Sequence, residues 1–254
     1  GSVLEGTALI GQGLPVNGAV LWVQGAWRNP VATRPGIYHS CAARPDGTAL
    51  CWGQNDYNQL GDGTTTDRDR ATPVPGLMGV ASVASGAYHS CAALRDGTVR
   101  CWGYNGAGSV GDGTTTQRST PVQVPGLANV RALAAGFYHT CAATAAGAVF
   151  CWGYNDRGQL GDGTTSTRTS PVQVPGLANV RALSASYSTT CALLADGTVR
   201  CWGANDSGQV GDGSKIDRPS PTAVAGLGGV AALANGAYHT CSVQTDGTAR
   251  CWGS

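Results

Sequence analysis

Apolar positions along the chain come in short runs broken by Gly, Pro and Asp-Gly punctuation, and no window sustains a helical period. CAAL at 91–94 and TVRC at 98–101 flank Arg95-Asp96-Gly97, a three-residue loop whose glycine can adopt left-handed backbone. This pattern predicts a hairpin that pairs Leu94 with Thr98 and, three steps out, Cys91 with Cys101. Segments such as NVRALAAG at 129–136 and STPVQVPG at 119–126 read as further short strands, so about four strands fit each unit and the chain is all-β.

The pattern repeats every 50 residues without insertion. Trp52, Trp102, Trp152, Trp202 and Trp252 keep the period, as do Asn55, Asn105, Asn155 and Asn205, and LGDG or VGDG at 60, 110, 160 and 210. A self-similar unit of this length cannot bury its faces alone and must stack on its neighbours. Four-stranded units repeated radially are the blades of a β-propeller, and five periods predict five blades in one domain spanning 1–254. The last unit stops at Trp252-Gly253-Ser254, whereas Ile10-Gly11-Gln12-Gly13 stands one period ahead of Leu60-Gly61-Asp62-Gly63. The expectation is a ring in which residues 1–29 complete the last blade and remove its exposed edge.

All ten cysteines fall into five pairs: Cys41 and Cys51, Cys91 and Cys101, Cys141 and Cys151, Cys191 and Cys201, Cys241 and Cys251. Metal binding would need a tighter spacing with ligands converging from elsewhere, whereas the hairpin register sets the two sulfurs opposite each other within disulfide reach. Each bridge closes a short loop and is worth up to ~3 kcal/mol by loop-closure entropy. Cysteine in this pattern points to an oxidising compartment, hence an extracellular, periplasmic or cell-surface location, and leaves no thiolate for catalysis.

Charge adds exclusions. Sixteen basic residues, of which only Lys215 is lysine, face fifteen acidic ones with no basic run longer than a pair, which argues against a nucleic-acid surface. The scarcity of lysine is a compositional bias of GC-rich bacterial genomes. No stretch is long and apolar enough for a membrane-spanning helix.

The four histidines, His39, His89, His139 and His239, share one repeat position, occupied by Thr189 in the fourth unit. Each is predicted opposite the glycine of CWG, which favours packing over a metal ring, with a backbone carbonyl as the partner of a ring nitrogen. No Gly-x-Ser-x-Gly elbow or orienting acid accompanies the following Ser or Thr, so no catalytic residue is assigned. Asn-Asp pairs and GDGT loops offer oxygens for calcium but lack EF-hand spacing and read as turn formers, so no metal or cofactor is assigned. The periodic Arg and Asp are expected in surface or inter-blade pairs.

The string HSCAALRDGTVRCWGYNGAGSVGDG at 89–113, with WGYNDRGQLGDG at 152–163, resembles the regulator of chromosome condensation repeat, over residues 30–254. The resemblance implies a propeller, usually of seven blades. A cysteine pair in each hairpin is not usual in that family. Its known guanine nucleotide exchange activity is not carried over, because no repeat is lengthened by a functional insertion and disulfides do not suit a nuclear location.

The same hairpin register mirrors Tyr88 with Tyr104 and Tyr138 with Tyr154, and sets Tyr38, Tyr57, Phe137, Tyr187 and Tyr238 in or near the same loops. One rim, away from the Asp-Gly turns, thus collects most aromatic residues. Tyrosine gives large contact area with a polar end at modest entropic cost, as binding surfaces require. Secreted bacterial β-lactamase inhibitor propellers of similar repeats use aromatic loops on one face, and this chain resembles that design with fewer blades. The expected function is a secreted, non-catalytic protein-binding scaffold, with inhibition of the bound protein as one form of that role. The alternative is a carbohydrate-binding or cell-surface structural propeller, and an enzyme ranks below both.

Overall fold

A computed structural model describes residues 32–254. The first blade comprises β1 (Ala32–Pro35), β2 (His39–Ala43), β3 (Ala49–Gly53) and β4 (Arg68–Pro73). The second comprises β5 (Val80–Ser85), β6 (His89–Leu94), β7 (Val99–Gly103) and β8 (Arg118–Gln123). The third runs from β9 (Val130–Ala135) through β10 (His139–Thr144) and β11 (Val149–Gly153) to β12 (Arg168–Gln173). The fourth runs from β13 (Val180–Ser186) through β14 (Thr189–Leu194) and β15 (Val199–Gly203) to β16 (Arg218–Ala223). The fifth has three described strands, β17 (Val230–Asn235), β18 (His239–Gln244) and β19 (Ala249–Gly253).

Every sheet is an antiparallel meander in chain order. The described strands do not close into a ring, and the closing segment expected at 1–29 lies outside the described residues.

The hairpin register is the one the sequence predicts. Cys91 pairs with Cys101 and His89 with Gly103, and the equivalent pairs recur in the other blades. Leu94 donates its N–H to the Thr98 carbonyl at 2.9 Å. Asp96 tightens the turn by accepting from Thr98 N–H (2.9 Å) and Oγ1 (2.7 Å). In the third blade Ala146 replaces that Asp, yet Thr144 N–H still meets the Ala148 carbonyl at 2.9 Å with Gly147 at φ 79°. The glycine, not the carboxylate, therefore carries the turn. All five cysteine pairs are disulfides.

Cohesion between blades comes from the tryptophans. The pairing of each third and fourth strand slips between the cysteine and the glycine of CWG, and the Trp lies at that irregularity. Trp102 Nε1 donates to the Gln59 carbonyl of the preceding blade at 2.9 Å, and Trp152, Trp202 and Trp252 repeat this to Ser109, Gln159 and Gln209. The indole lies so close to Gly61 that a Cβ there would sit 2.7 Å from the ring, which explains the glycine of LGDG. Four buried clusters result, each built across one blade junction from disulfides, Val, Leu and the incoming Trp. Wholly burying one aromatic side chain of this size is worth about 3 kcal/mol, so these junctions hold much of the stability. The fifth blade has no such junction among the described residues, and its Cys251 and Val243 are exposed there.

Candidate functional site: an aromatic rim

The periodic polar residues are consumed inside the fold. Asn55, Asn105, Asn155 and Asn205 are fully buried. Asn55 Oδ1 accepts from Leu60 N–H at 3.0 Å, while its Nδ2 donates to the carbonyls of Thr64 (2.9 Å) and Thr66 (3.1 Å) and to Asp62. The oxygens of the GDGT loop thus already accept from an amide. Asp62 also accepts from Thr64 and from Arg68, whose Nε lies at 2.8 Å. Burial works against the Asp62 carboxylate, but hydrogen bonds from Thr64 and Arg68 outweigh it and hold the pKa below the usual range; the equivalent Asp212 reaches about 2. The Arg–Asp pairs expected on the surface or between blades therefore lie within one loop of one blade.

The histidines also serve the scaffold, though not through the partner anticipated. His39 Nε2 meets Ser90 Oγ at 2.7 Å, His89 meets Thr140 at 2.8 Å and His139 meets Thr190 at 2.8 Å, each hydroxyl belonging to the next blade. Those hydroxyls donate to the carbonyls of Gln59, Ser109 and Gln159, so they accept from the imidazoles and Nε2 carries the proton. A hydroxyl relay takes the place of the expected backbone carbonyl at Nε2, and at His39 the Ala87 backbone also contributes, opposing the effect of burial. Burial pushes His39 down to about 4; it does the same to His89, with His39 and His139 nearby, and to His139, both reaching about 3.

A Cβ on Gly136 would fall 2.1 Å from the His139 ring and one on Gly86 2.3 Å from that of His89. In the fourth blade, where Thr189 replaces His, Ser186 replaces this glycine, Thr189 donates to the Ala204 carbonyl at 2.9 Å, and Asn235 supplies bonds to Ser184 and Cys191.

The aromatic residues are the periodic set left facing outwards. All eight tyrosines and Phe137 gather at the predicted end of the blades. Tyr88 lies near the middle, stacked on Tyr38 (centroids 5.0 Å apart) and Tyr138 (6.0 Å), with Tyr57 edge-on at 4.9 Å and Phe137 at 5.8 Å. Tyr104 joins Tyr57 and Tyr138; Phe137 continues the contact to Tyr187 at 5.0 Å, and Tyr187 to Tyr238 at 5.6 Å. The rings form one unbroken surface across five blades.

Tyr38, Tyr57, Tyr154, Tyr187 and Tyr238 are 39–50% exposed, while Tyr88, Tyr104, Phe137 and Tyr138 are half-buried beneath them. The Tyr88 phenol is pushed up to about 12, first by the adjoining Tyr38 phenol and then by burial. Backbone bonds from Ala87 to Phe137 (3.3 Å) and from Phe137 to Tyr187 (3.0 Å) tie the loops of adjacent blades together.

Beside this surface lies a cavity of about 420 Å³ with Tyr154, Asp156, Arg157 and Asp206 at its edge. Sequence reasoning found the rings but missed the cavity, because the Asn-Asp pairs looked like turn formers alone.

A model of the regulator of chromosome condensation (RCC1) repeat matches residues 46–93, 96–143, 146–193 and 196–243. The chain belongs to the RCC1 repeat family. A second model of the RCC1 repeat matches 80–109, 130–159 and 180–209. Among solved structures the chain is similar to human WBSCR16 (20% identity, TM-score 0.79, 89% of this chain and 63% of that one). It is also similar to yeast RCC1 (Prp20) in its crystal structure with Kap60 (23%, 0.74, 85% and 54%). A second Prp20p structure, from Saccharomyces cerevisiae, reported with binding properties to Gsp1p and histones, matches at 20% identity, TM-score 0.55, over 88% of this chain and 72% of that one. The chain spans 63% and 54% of the length of the first two relatives. No curated protein matches the sequence. RCC1 repeats thus account for the blades, and the described residues contain no helix long and apolar enough to cross a membrane.

Proposed function

We propose that this chain is a non-catalytic protein-binding scaffold of an oxidising, extracytoplasmic compartment, with the tyrosine rim as its binding face. The observation that carries this reading is the contrast between the rim and the rest of the repeat. The periodic Asn, Asp, Arg, His and Trp are spent inside the fold, whereas nine aromatic rings form a continuous, partly exposed surface. Aromatic surface of this extent on a rigid frame suits a partner bound with little ordering cost. Five buried or hairpin-held disulfides favour secretion or surface display. Yeast RCC1, on the same fold, is known from its structure with Kap60 to bind a protein, which supports a protein rather than a metabolite as the ligand class. A rigid face of this kind can also inhibit, by covering a partner's own site.

The test is capture from the producer's extracellular fraction on the immobilised, disulfide-intact protein. Wild type should retain one saturable polypeptide, and Tyr38→Ser/Tyr154→Ser/Tyr238→Ser, which alters exposed rings only, should lose it at least a hundredfold while keeping the same unfolding midpoint. Equal retention by both proteins refutes the rim.

A further inference from the structure

The cavity beside the rim is bounded by two pairs of phenol rings and by acids. Tyr138 and Tyr154 lie 6.3 Å apart at 85°, Tyr187 and Tyr238 5.6 Å apart at 47°, and Asp156 and Asp206 complete the edge. Its volume of about 420 Å³ lies in the range of ligand-sized sites.

The electrostatics select the ligand. Among the described residues Arg157 is the only cation bordering the cavity, and it is already engaged twice, by Asp206 through Nη2 and by Asp217 through Nε at 2.9 Å. Asp156 accepts from the Gln159 amide at 3.4 Å, pushes up the neighbouring Tyr154 phenol, and adds to the rise of Arg157 behind its two nearer carboxylates. Three carboxylates against one guanidinium leave the cluster with two net negative charges. An anion entering here meets repulsion, and a neutral group strips water from Asp156 without replacing it. A cation is compensated by Asp156 and attracted by the negative faces of the phenol rings at once. A guanidinium suits such walls best, being planar, weakly hydrated and able to stack on an aromatic ring while pairing with a carboxylate.

We propose that this cavity is the specificity pocket of the rim and receives an arginine side chain of the protein partner, a reading that rests on the rim being the binding face. Asp156 sets the charge preference, and the four tyrosines hold the plane of the guanidinium.

The probe is Nα-acetyl-arginine methylamide, titrated into the isotopically labelled, disulfide-intact protein and followed by backbone amide shifts. Nα-acetyl-citrulline methylamide, alike in shape but uncharged, and a neutral disaccharide run in parallel. The arginine probe should saturate shifts at Ser188, Ala204 and Ser207 at millimolar concentration, with citrulline at least fivefold weaker. Asp156→Asn should weaken the arginine probe about fivefold and leave citrulline unchanged. Citrulline binding as well as arginine, a disaccharide binding more tightly than either, or no saturable shift in the wild type overturns the proposal. Partner capture that depends on the rim tyrosines, together with an arginine probe that fails, refutes the pocket alone; a probe that seats as predicted, with capture indifferent to those tyrosines, refutes the rim.

Discussion

Lowering the pH should destabilise the protein through its three buried imidazoles well before its carboxylates titrate. An unfolded histidine titrates near 6.5, whereas His39 titrates at about 4 and His89 and His139 at about 3. Between pH 6.5 and about 4 the unfolded chain therefore binds three protons that the folded chain does not, so stability falls as pH falls through that window. It levels off once the folded imidazoles themselves take up protons. Each such proton is worth about 1.4 kcal/mol per pH unit, so three give about 4 kcal/mol per unit near pH 5. That slope follows from the number of protons as long as each folded imidazole stays neutral at pH 5. The lowered Asp62, Asp112, Asp162 and Asp212 add their own loss only on falling through the carboxylate range below about pH 4.

The fourth blade supplies the control. Gly136→Ser/His139→Thr gives the third blade the Ser186 and Thr189 pattern, and should reduce the slope by a third, about 1.4 kcal/mol per pH unit. Gly136→Ser alone forces the side chain against the His139 ring and should lower stability at every pH. The assay is guanidinium unfolding at half-unit steps from pH 7 to 4.5 with disulfides intact. A slope near pH 5 below about 1.4 kcal/mol per unit, or one unchanged by the double substitution, refutes the buried, neutral hydroxyl relay.

Two further outcomes follow from burial. Cys41, Cys51 and the cysteines of the next three blades are 0% exposed, so graded reduction with alkylation and mass spectrometry should leave these four pairs unlabelled while the fold is intact; labelling of any of them in the folded protein contradicts their burial. Asn105→Ala strands the buried Val110 N–H and the Thr114 and Thr116 carbonyls, and should cost about 2–4 kcal/mol in guanidinium unfolding at pH 7; a change under about 0.5 kcal/mol contradicts its place at the centre of the loop.

The blades were legible because local rules agree with one another. Turn chemistry fixed the hairpin, the hairpin fixed the cysteine register, and the undisturbed period carried both around the chain. The rim followed from the same register: Tyr104 N–H bonds the Tyr88 carbonyl at 2.9 Å, as the mirror pairing requires. What stayed hidden are the contacts one period apart in sequence. His89 and Thr140 stand 51 residues apart, and Trp102 and Gln59 43, and no local pattern states which face of a blade meets its neighbour. The change to Ser186 and Thr189 in one unit was a visible signal of the imidazole's seat, since both positions altered together. The cavity needed three blades to be set side by side before Asp156, Arg157 and Asp206 could be seen around one space.

Amide hydrogen exchange of the protein with its captured partner tests the rim most directly. Protection should fall in loops 36–38, 86–88, 136–138, 186–188 and 236–238 and in the segments that begin at 54, 104, 154 and 204, with the Asp-Gly turns near 46, 96 and 196 exchanging as in the free protein. Protection confined to those turns or to the outer strands, with the tyrosine loops unchanged, would contradict the account.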